Sequence, residues 1–169
     1  GLPINKLVVS SNKNDILTRF FETGVMKLKQ TIKTVSPSMD IQVSSNFERL
    51  LYDYSKSTEL IKNLYRDLNM KGYFSVDTKL LDLMKNSFRY GRLNDKETLT
   101  SINKIFKRFR IIIDPHTAVG YSIGKTVLDD SEKRIYLATA HYSKFIDTVK
   151  KVIDDQVKLP KRISSIINK

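Results

Sequence analysis

The chain has 169 residues, of which 40% are apolar and 28% charged, and it carries a formal charge of +12. That length suits one domain with a buried core, and that apolar content excludes a fully disordered chain. The absence of cysteine excludes disulfides, thiolate metal sites and cysteine nucleophiles. No apolar run approaches the roughly 18 residues of a membrane span, and Gly1-Leu2-Pro3-Ile4 has no basic-then-apolar leader layout. A cytoplasmic location with no membrane partner is therefore expected. The lack of an initiator Met suggests that a longer chain precedes Gly1.

Lys6–Ser10 is a short apolar run with β-branched residues and is predicted to be a buried strand. A polar loop, Ser11–Asp15, follows, in which Asn14 or Asp15 can cap the next helix. That helix is predicted over Ile16–Thr23, with Gly24 as its stop. Val25–Ser44 is irregular, rich in Ser and Thr and interrupted by Pro37. It reads as a long loop, a kind of segment that is often functional.

The middle of the chain reads as helical. Phe47–Tyr54 follows the cap candidates Ser44 and Ser45; Leu60, Ile61, Leu64 and Leu68 recur at helical spacing, as do Leu80, Leu81, Met84 and Phe88 before Gly91. Asn94 with Glu97 has capping-box spacing ahead of the stripe Ile102, Ile105, Phe106 and Phe109. These stripes read as core. Asp114-Pro115-His116-Thr117 opens a further helix reaching about Leu128, with Pro at a tolerated first-turn position. Lys133–Ala138 is predicted to be a second strand, ended by Thr139-Ala140-His141. Ser143 is expected to cap a helix over 144–154, and Leu159-Pro160 to start a short tail helix.

Strands alternating with helices argue for an α/β fold with a parallel sheet covered on both faces. Two strands are too few for such a core, so further strands are expected from a partner or from a missing part of the chain. Ligands of open α/β sheets bind beyond the carboxyl ends of strands. Asn12–Asp15 and Thr139–His141 occupy that place, and Asp114–Thr117 can stand beside them. Each has a plainer explanation as a cap, a strand end or a structural histidine.

Inventory excludes other chemistries. Two histidines without a carboxylate partner at metal spacing carry no metal signature. No Gly-x-Ser-x-Gly elbow exists, and the six glycines form no phosphate cradle. The thirty Lys plus Arg are spread along the chain, and their densest cluster, Lys104, Lys107, Arg108 and Arg110, lacks interleaved aromatics. That distribution fits a solvated basic surface better than a nucleic-acid partner.

Several segments resemble threonine synthases in family order. Gly1–Ile4 and Ser11–Phe20 are similar to that family's GLPI…TNxNDILTRF region, Ser36–Ile41 to SPSMDI and Ser44–Leu51 to SSNFERLL. Asp114–Gly120 matches DPHTAVG, and Leu137–His141 followed by Lys144-Phe145 resembles LATAHPAKF. The resemblance implies an incomplete tryptophan-synthase-β-like fold with few parallel strands and a large helical insertion. Residues 1–169 would be the C-terminal portion of the enzyme as a single unit, with the insertion at 45–110. It also implies pyridoxal 5'-phosphate as cofactor in the complete enzyme and O-phosphohomoserine as substrate, converted with water to threonine and phosphate.

The resemblance assigns Thr139 to the family threonine whose hydroxyl meets the cofactor's pyridine nitrogen. Asn12, Asn14, His116 and His141 sit on matched motifs near the pocket. Tyr142-Ser143 replaces the family's Pro-Ala beside Thr139, so tyrosine stands where proline's fixed φ is usual. The family's Schiff-base lysine and GNFG-type phosphate loop precede GLPI, and Lys13 lies in the wrong context to replace that lysine. This chain alone is therefore expected to be inactive, to hold no cofactor unaided and to need a complementary N-terminal segment. A basic binding module and a remnant of a broken gene are the competing readings.

Overall fold

The first strand forms about where the sequence predicts it, but it is half-buried and not the buried strand expected, with Leu7 exposed, and its partner is not the second predicted strand. In the computed structural model, which describes residues 3–153, 157, 159–160 and 164–165, β1 (Leu7–Ser11) pairs in parallel with β4 (Phe88–Arg92), in the register Leu7↔Phe88 to Ser11↔Arg92. A second small sheet pairs β2 (Val25–Lys27) with β3 (Tyr73–Ser75) antiparallel. Between them run α1 (Ile16–Thr23), α2 (Phe47–Ser55), α3 (Thr58–Lys71) and α4 (Thr78–Ser87). α5 (Asp95–Phe109), α6 (Pro115–Val127) and the short α7 (Ile146–Lys150) follow. The span 45–110 thus holds helices α2–α5 together with β3 and β4, and both of those strands pair with strands from the first 30 residues.

Gly91, expected to stop a helix, lies instead inside β4, and the preceding helix ends at Ser87. A Cβ on Gly91 would stand 2.8 Å from Ile123 Cγ2 on α6, so a side chain there would prise the helix from the sheet. The absence of one lets α6 lie close on β1 and β4. Gly24 does act as predicted: it takes φ 75° and its N–H donates to Phe20 O, closing α1 in the left-handed conformation that glycine adopts at least cost.

Most helix starts follow the local chemistry. Ser57 caps α3 and Asp77 caps α4 through the N–H groups of Leu60 and Leu80. Asn94 and Glu97 form the expected reciprocal box at α5. Asp114 caps α6, with Pro115 in its first turn. Asp15 does not cap α1. Its carboxylate accepts from Arg19 Nε at 2.8 Å and Arg92 Nη1 at 2.5 Å, tying the helix to β4. Ser44 and Ser45 give way to Asn46 as the residue preceding α2. His141, not Ser143, caps the 3-10 turn Tyr142–Phe145 that leads into α7. The tail helix expected from Leu159-Pro160 falls largely outside the described residues.

Two apolar clusters hold the elements together. Phe20, Phe21, Phe47, Phe74 and Phe88 are buried where α1, α2 and both sheets meet. Phe20 meets Phe47 edge-on at 4.9 Å, and Phe21 stacks on Phe88 and Tyr90 at 5.5 Å, geometries that suit aromatic quadrupoles. Ile102, Ala118, Val149, Ile153 and Val157 form the second cluster, among α5, α6 and α7.

Residues 133–138 do not form the predicted strand. They keep a strand's alternation without a ladder. Tyr136 turns inward to Tyr121 on α6, with ring centroids 4.9 Å apart, whereas Ile135 and Leu137 are 88% and 80% exposed. A strand needs a neighbour for its N–H and C=O groups, and among the described residues none pairs with this segment.

Candidate functional site

A hub of amides and hydroxyls sits beyond the carboxyl end of β1. Asn12 is 1% exposed and Asn14 4%. The two N–H bonds of Asn12 Nδ2 are shared among Thr34 Oγ1 at 2.8 Å, Asp40 Oδ1 at 2.8 Å, Ser36 Oγ at 3.0 Å and Ser36 O at 3.2 Å. Asn12 Oδ1 accepts the Asn14 N–H at 2.8 Å. Asn14 Nδ2 donates to Ile32 O and Asp40 Oδ1, and its Oδ1 accepts Ile32 N–H. Thr34 adds its own N–H and hydroxyl to the Asp40 carboxylate. The long loop after β2 is thereby pinned to the end of β1. Both asparagines spend their amides on that loop, and the Asp40 carboxylate is saturated.

The loop is held from its other side by α6. Ser38 N–H donates to His116 Nε2 at 3.1 Å. A nitrogen that accepts carries no proton, so the proton lies on Nδ1, which donates to Asp114 Oδ1 at 2.8 Å. Phe145 packs on the imidazole, 4.7 Å between ring centroids. Asp114 is 1% exposed. Its Oδ1 also accepts His116 N–H at 2.9 Å, and its Oδ2 accepts the Thr117 hydroxyl in a short contact. Burial pushes the Asp114 carboxyl up, but the hydrogen bonds from His116 and Thr117 outweigh it and hold the group below the ordinary carboxylate range.

The Asp15 carboxyl is held low as well: burial raises it, and Arg19 and Arg92 more than reverse that. A depressed folded pKa stabilises the fold fully above the unfolded value, about 4 for aspartate, and that stability is lost as pH falls through the folded value. The urea midpoint is expected to fall steeply below about pH 4, and Asp114→Asn should flatten that acid limb when midpoints are measured from pH 6 to pH 3.

Thr139 reaches this network from outside. Its N–H donates to Thr117 Oγ1 at 3.4 Å, while its hydroxyl has no hydrogen-bond partner among the described residues and the residue is exposed. His141 stands apart from the hub. Its Nδ1 accepts Ser143 N–H at 3.2 Å and meets the Ser143 hydroxyl at 2.8 Å, and its ring lies 4.3 Å from that of Tyr142.

Asn12 and Asn14 thus hold the loop at Ile32, Thr34, Ser36 and Asp40, His116 meets the same loop at Ser38, Thr139 reaches the Asp114 partner of His116 through Thr117, and His141 remains a local cap. Thr34, Ser36, Ser38 and Asp40 join them without a role foreseen from the sequence, whereas Asp114 and Thr117 were expected only as a helix start beside the ligand-binding segments. Their signal was present in part, because Ser36–Ile41 and Asp114–Thr117 are both polar motifs opening a helical turn. A separate groove of about 870 Å³ between α5 and α6, lined by Lys96, Lys104, Arg108 and Lys125, contains none of these residues.

Among the described residues no group of three or more His, Cys, Asp or Glu could hold a metal ion, and no helix is long and apolar enough to cross a membrane. Thr139 carries an exposed hydroxyl with no hydrogen-bond partner among the described residues, and the carboxylates of Asp40 and Asp114 accept donors from within the chain.

Comparison with known proteins points in one direction. A family model described as "Threonine synthase, C-terminal" matches residues 117–169. The threonine synthase of Saccharomyces cerevisiae is 38% identical over 168 residues, covering 88% of this chain and 33% of that protein. A crystal structure of PLP-bound threonine synthase from Brucella melitensis superposes with a TM-score of 0.95 at 34% identity, covering 100% of this chain and 37% of that one. The yeast threonine synthase structure superposes with a TM-score of 0.91 at 32% identity, covering 99% of this chain and 38% of that one. The chain spans about a third of the length of these relatives.

Proposed function

Because the chain belongs to the threonine synthase family, we propose that it supplies one wall of a pyridoxal-phosphate site in an enzyme that converts O-phosphohomoserine and water to threonine and phosphate. The observation that carries this reading is Thr139, whose backbone is anchored to the buried Asp114–Thr117 pair while its hydroxyl has no hydrogen-bond partner among the described residues. Pyridoxal phosphate, when bound, supplies an electron sink for carbanions formed on the substrate. The Thr139 hydroxyl donates to the ring nitrogen, which suits an unprotonated pyridine, since a carboxylate in its place would favour the protonated ring. Asn12 and Asn14 hold the loop over 28–43 against the site, and His116 fixes that loop at Ser38. The remaining contacts of cofactor and substrate come from the part of the family fold that lies outside this chain.

Reconstitution tests the reading. Mixing the chain with a complementary N-terminal portion of a threonine synthase and pyridoxal phosphate is expected to give a visible cofactor absorbance and phosphate release from O-phosphohomoserine. Thr139→Ala should weaken cofactor retention about tenfold, the equivalent of one hydrogen bond. A soluble mixture with no cofactor band, or retention unchanged by Thr139→Ala, contradicts it.

A further inference from the structure

One buried carboxylate links the loop at Ser38 to the segment at Thr139, through His116 and Thr117. Asp114 needs only to accept backbone N–H groups to cap α6, a task that Ser, Thr or Asn performs about as well. Here its two oxygens also take two side-chain donors, and each donor engages a different segment outside the helix. Oδ1 takes His116 Nδ1, whose other ring nitrogen accepts Ser38 N–H at 3.1 Å. Oδ2 takes the Thr117 hydroxyl, whose oxygen accepts Thr139 N–H at 3.4 Å. The Thr117 hydroxyl donates inward and accepts from outside, which a hydroxyl can do and a methyl cannot.

We propose that Asp114 and Thr117 are positioning residues for Thr139: together they fix the backbone at residue 139, and so the direction of its hydroxyl, relative to the loop held at Ser38. The inference rests on the proposed role of Thr139, but the anchoring itself can be read without cofactor. Thr117→Val keeps the shape and removes both hydrogen bonds. Asp114→Asn keeps the helix cap through Oδ1 but takes away the carboxylate oxygen that accepts the Thr117 O–H, so the Thr117 hydroxyl loses the partner that orients its lone pairs towards Thr139 N–H.

The experiment is amide hydrogen exchange by NMR on the full chain without cofactor, with Val9 in β1 as reference, followed by cofactor retention in the reconstituted protein. Thr117→Val and Asp114→Asn are each expected to speed exchange at Thr139 at least tenfold while leaving Val9 unchanged. Thr117→Ser should restore both exchange and cofactor retention to near the parent values. Should the valine variant fail to fold, the asparagine variant carries the test alone. Unchanged exchange at Thr139, or no rescue by serine, overturns the inference. Faster exchange in these variants combined with cofactor retention indifferent to Thr139→Ala leaves the anchoring intact and overturns instead the cofactor role of Thr139.

Discussion

Replacing Asn12 by leucine is expected to destabilise the fold by about 3–5 kcal/mol, because it removes the donors that satisfy a buried polar hub and leaves their acceptors stranded. The loss is not one hydrogen bond. Asp40 Oδ1 loses a donor at 2.8 Å, and the Asn14 N–H loses its acceptor at 2.8 Å. Asn14 and Thr34 still donate to Asp40, which keeps the cost below that of a bare buried charge. The loop over 28–43 has few apolar anchors, with Ile32, Ile41 and Val43 all exposed, so its position depends on this hub. A urea denaturation midpoint shift equivalent to less than about 1 kcal/mol would show that the loop is held by something else. Asn12→Asp should be at least as damaging, since it places a second carboxylate beside that of Asp40.

The second large effect concerns assembly and not stability. Ile135 and Leu137 are 88% and 80% exposed on an extended segment that pairs with no strand among the described residues. Covering each side chain is worth about 1.5–3 kcal/mol, so Ile135→Lys with Leu137→Lys should weaken reconstitution with the complementary portion by more than about 100-fold. The same double change should leave the thermal midpoint of the chain alone nearly unchanged, since exposed substitutions away from special features cost within about 0.5 kcal/mol each. Titration of the complementary portion, followed by cofactor absorbance, measures the first effect, and circular dichroism melting measures the second. Equal reconstitution by parent and double variant would show that this face stays open in the assembled protein.

These cases show why some elements were legible in the sequence and others were not. The helices α3, α4 and α5 carry apolar stripes at regular spacing and local caps at Ser57, Asp77 and Asn94, so propensity, pattern and capping agree. β4 was hidden because Phe88 continues the stripe of α4 and no turn residue separates helix from strand. Its identity depends on pairing with β1, some 80 residues away in sequence, and on the approach of Ile123 to Gly91. β2 and β3, at three residues each, are too short for alternation to register. Lys133–Ala138 has the composition of a strand but pairs with no strand among the described residues, because a ladder is a property of two segments and not of one.

The candidate site divides along the same line. Asn12, Asn14, His116 and Thr139 stood out as polar residues in places where α/β folds bind ligands. What they hold was not legible, because Asp40, Ser36 and Ser38 meet them only once the long loop folds back over the end of β1. The DPHT motif read as a helix start, and it is one. Its further task, joining His116 and Thr139 through Asp114, depends on contacts 22 and 78 residues apart in sequence.

The most direct measurement is a crystal structure of the reconstituted protein with pyridoxal phosphate bound, read at the cofactor's pyridine nitrogen. The Thr139 hydroxyl oxygen is expected within hydrogen-bond reach of that nitrogen, at about 2.7–3.2 Å. A carboxylate in that place, or a Thr139 hydroxyl turned away beyond about 4 Å, contradicts it.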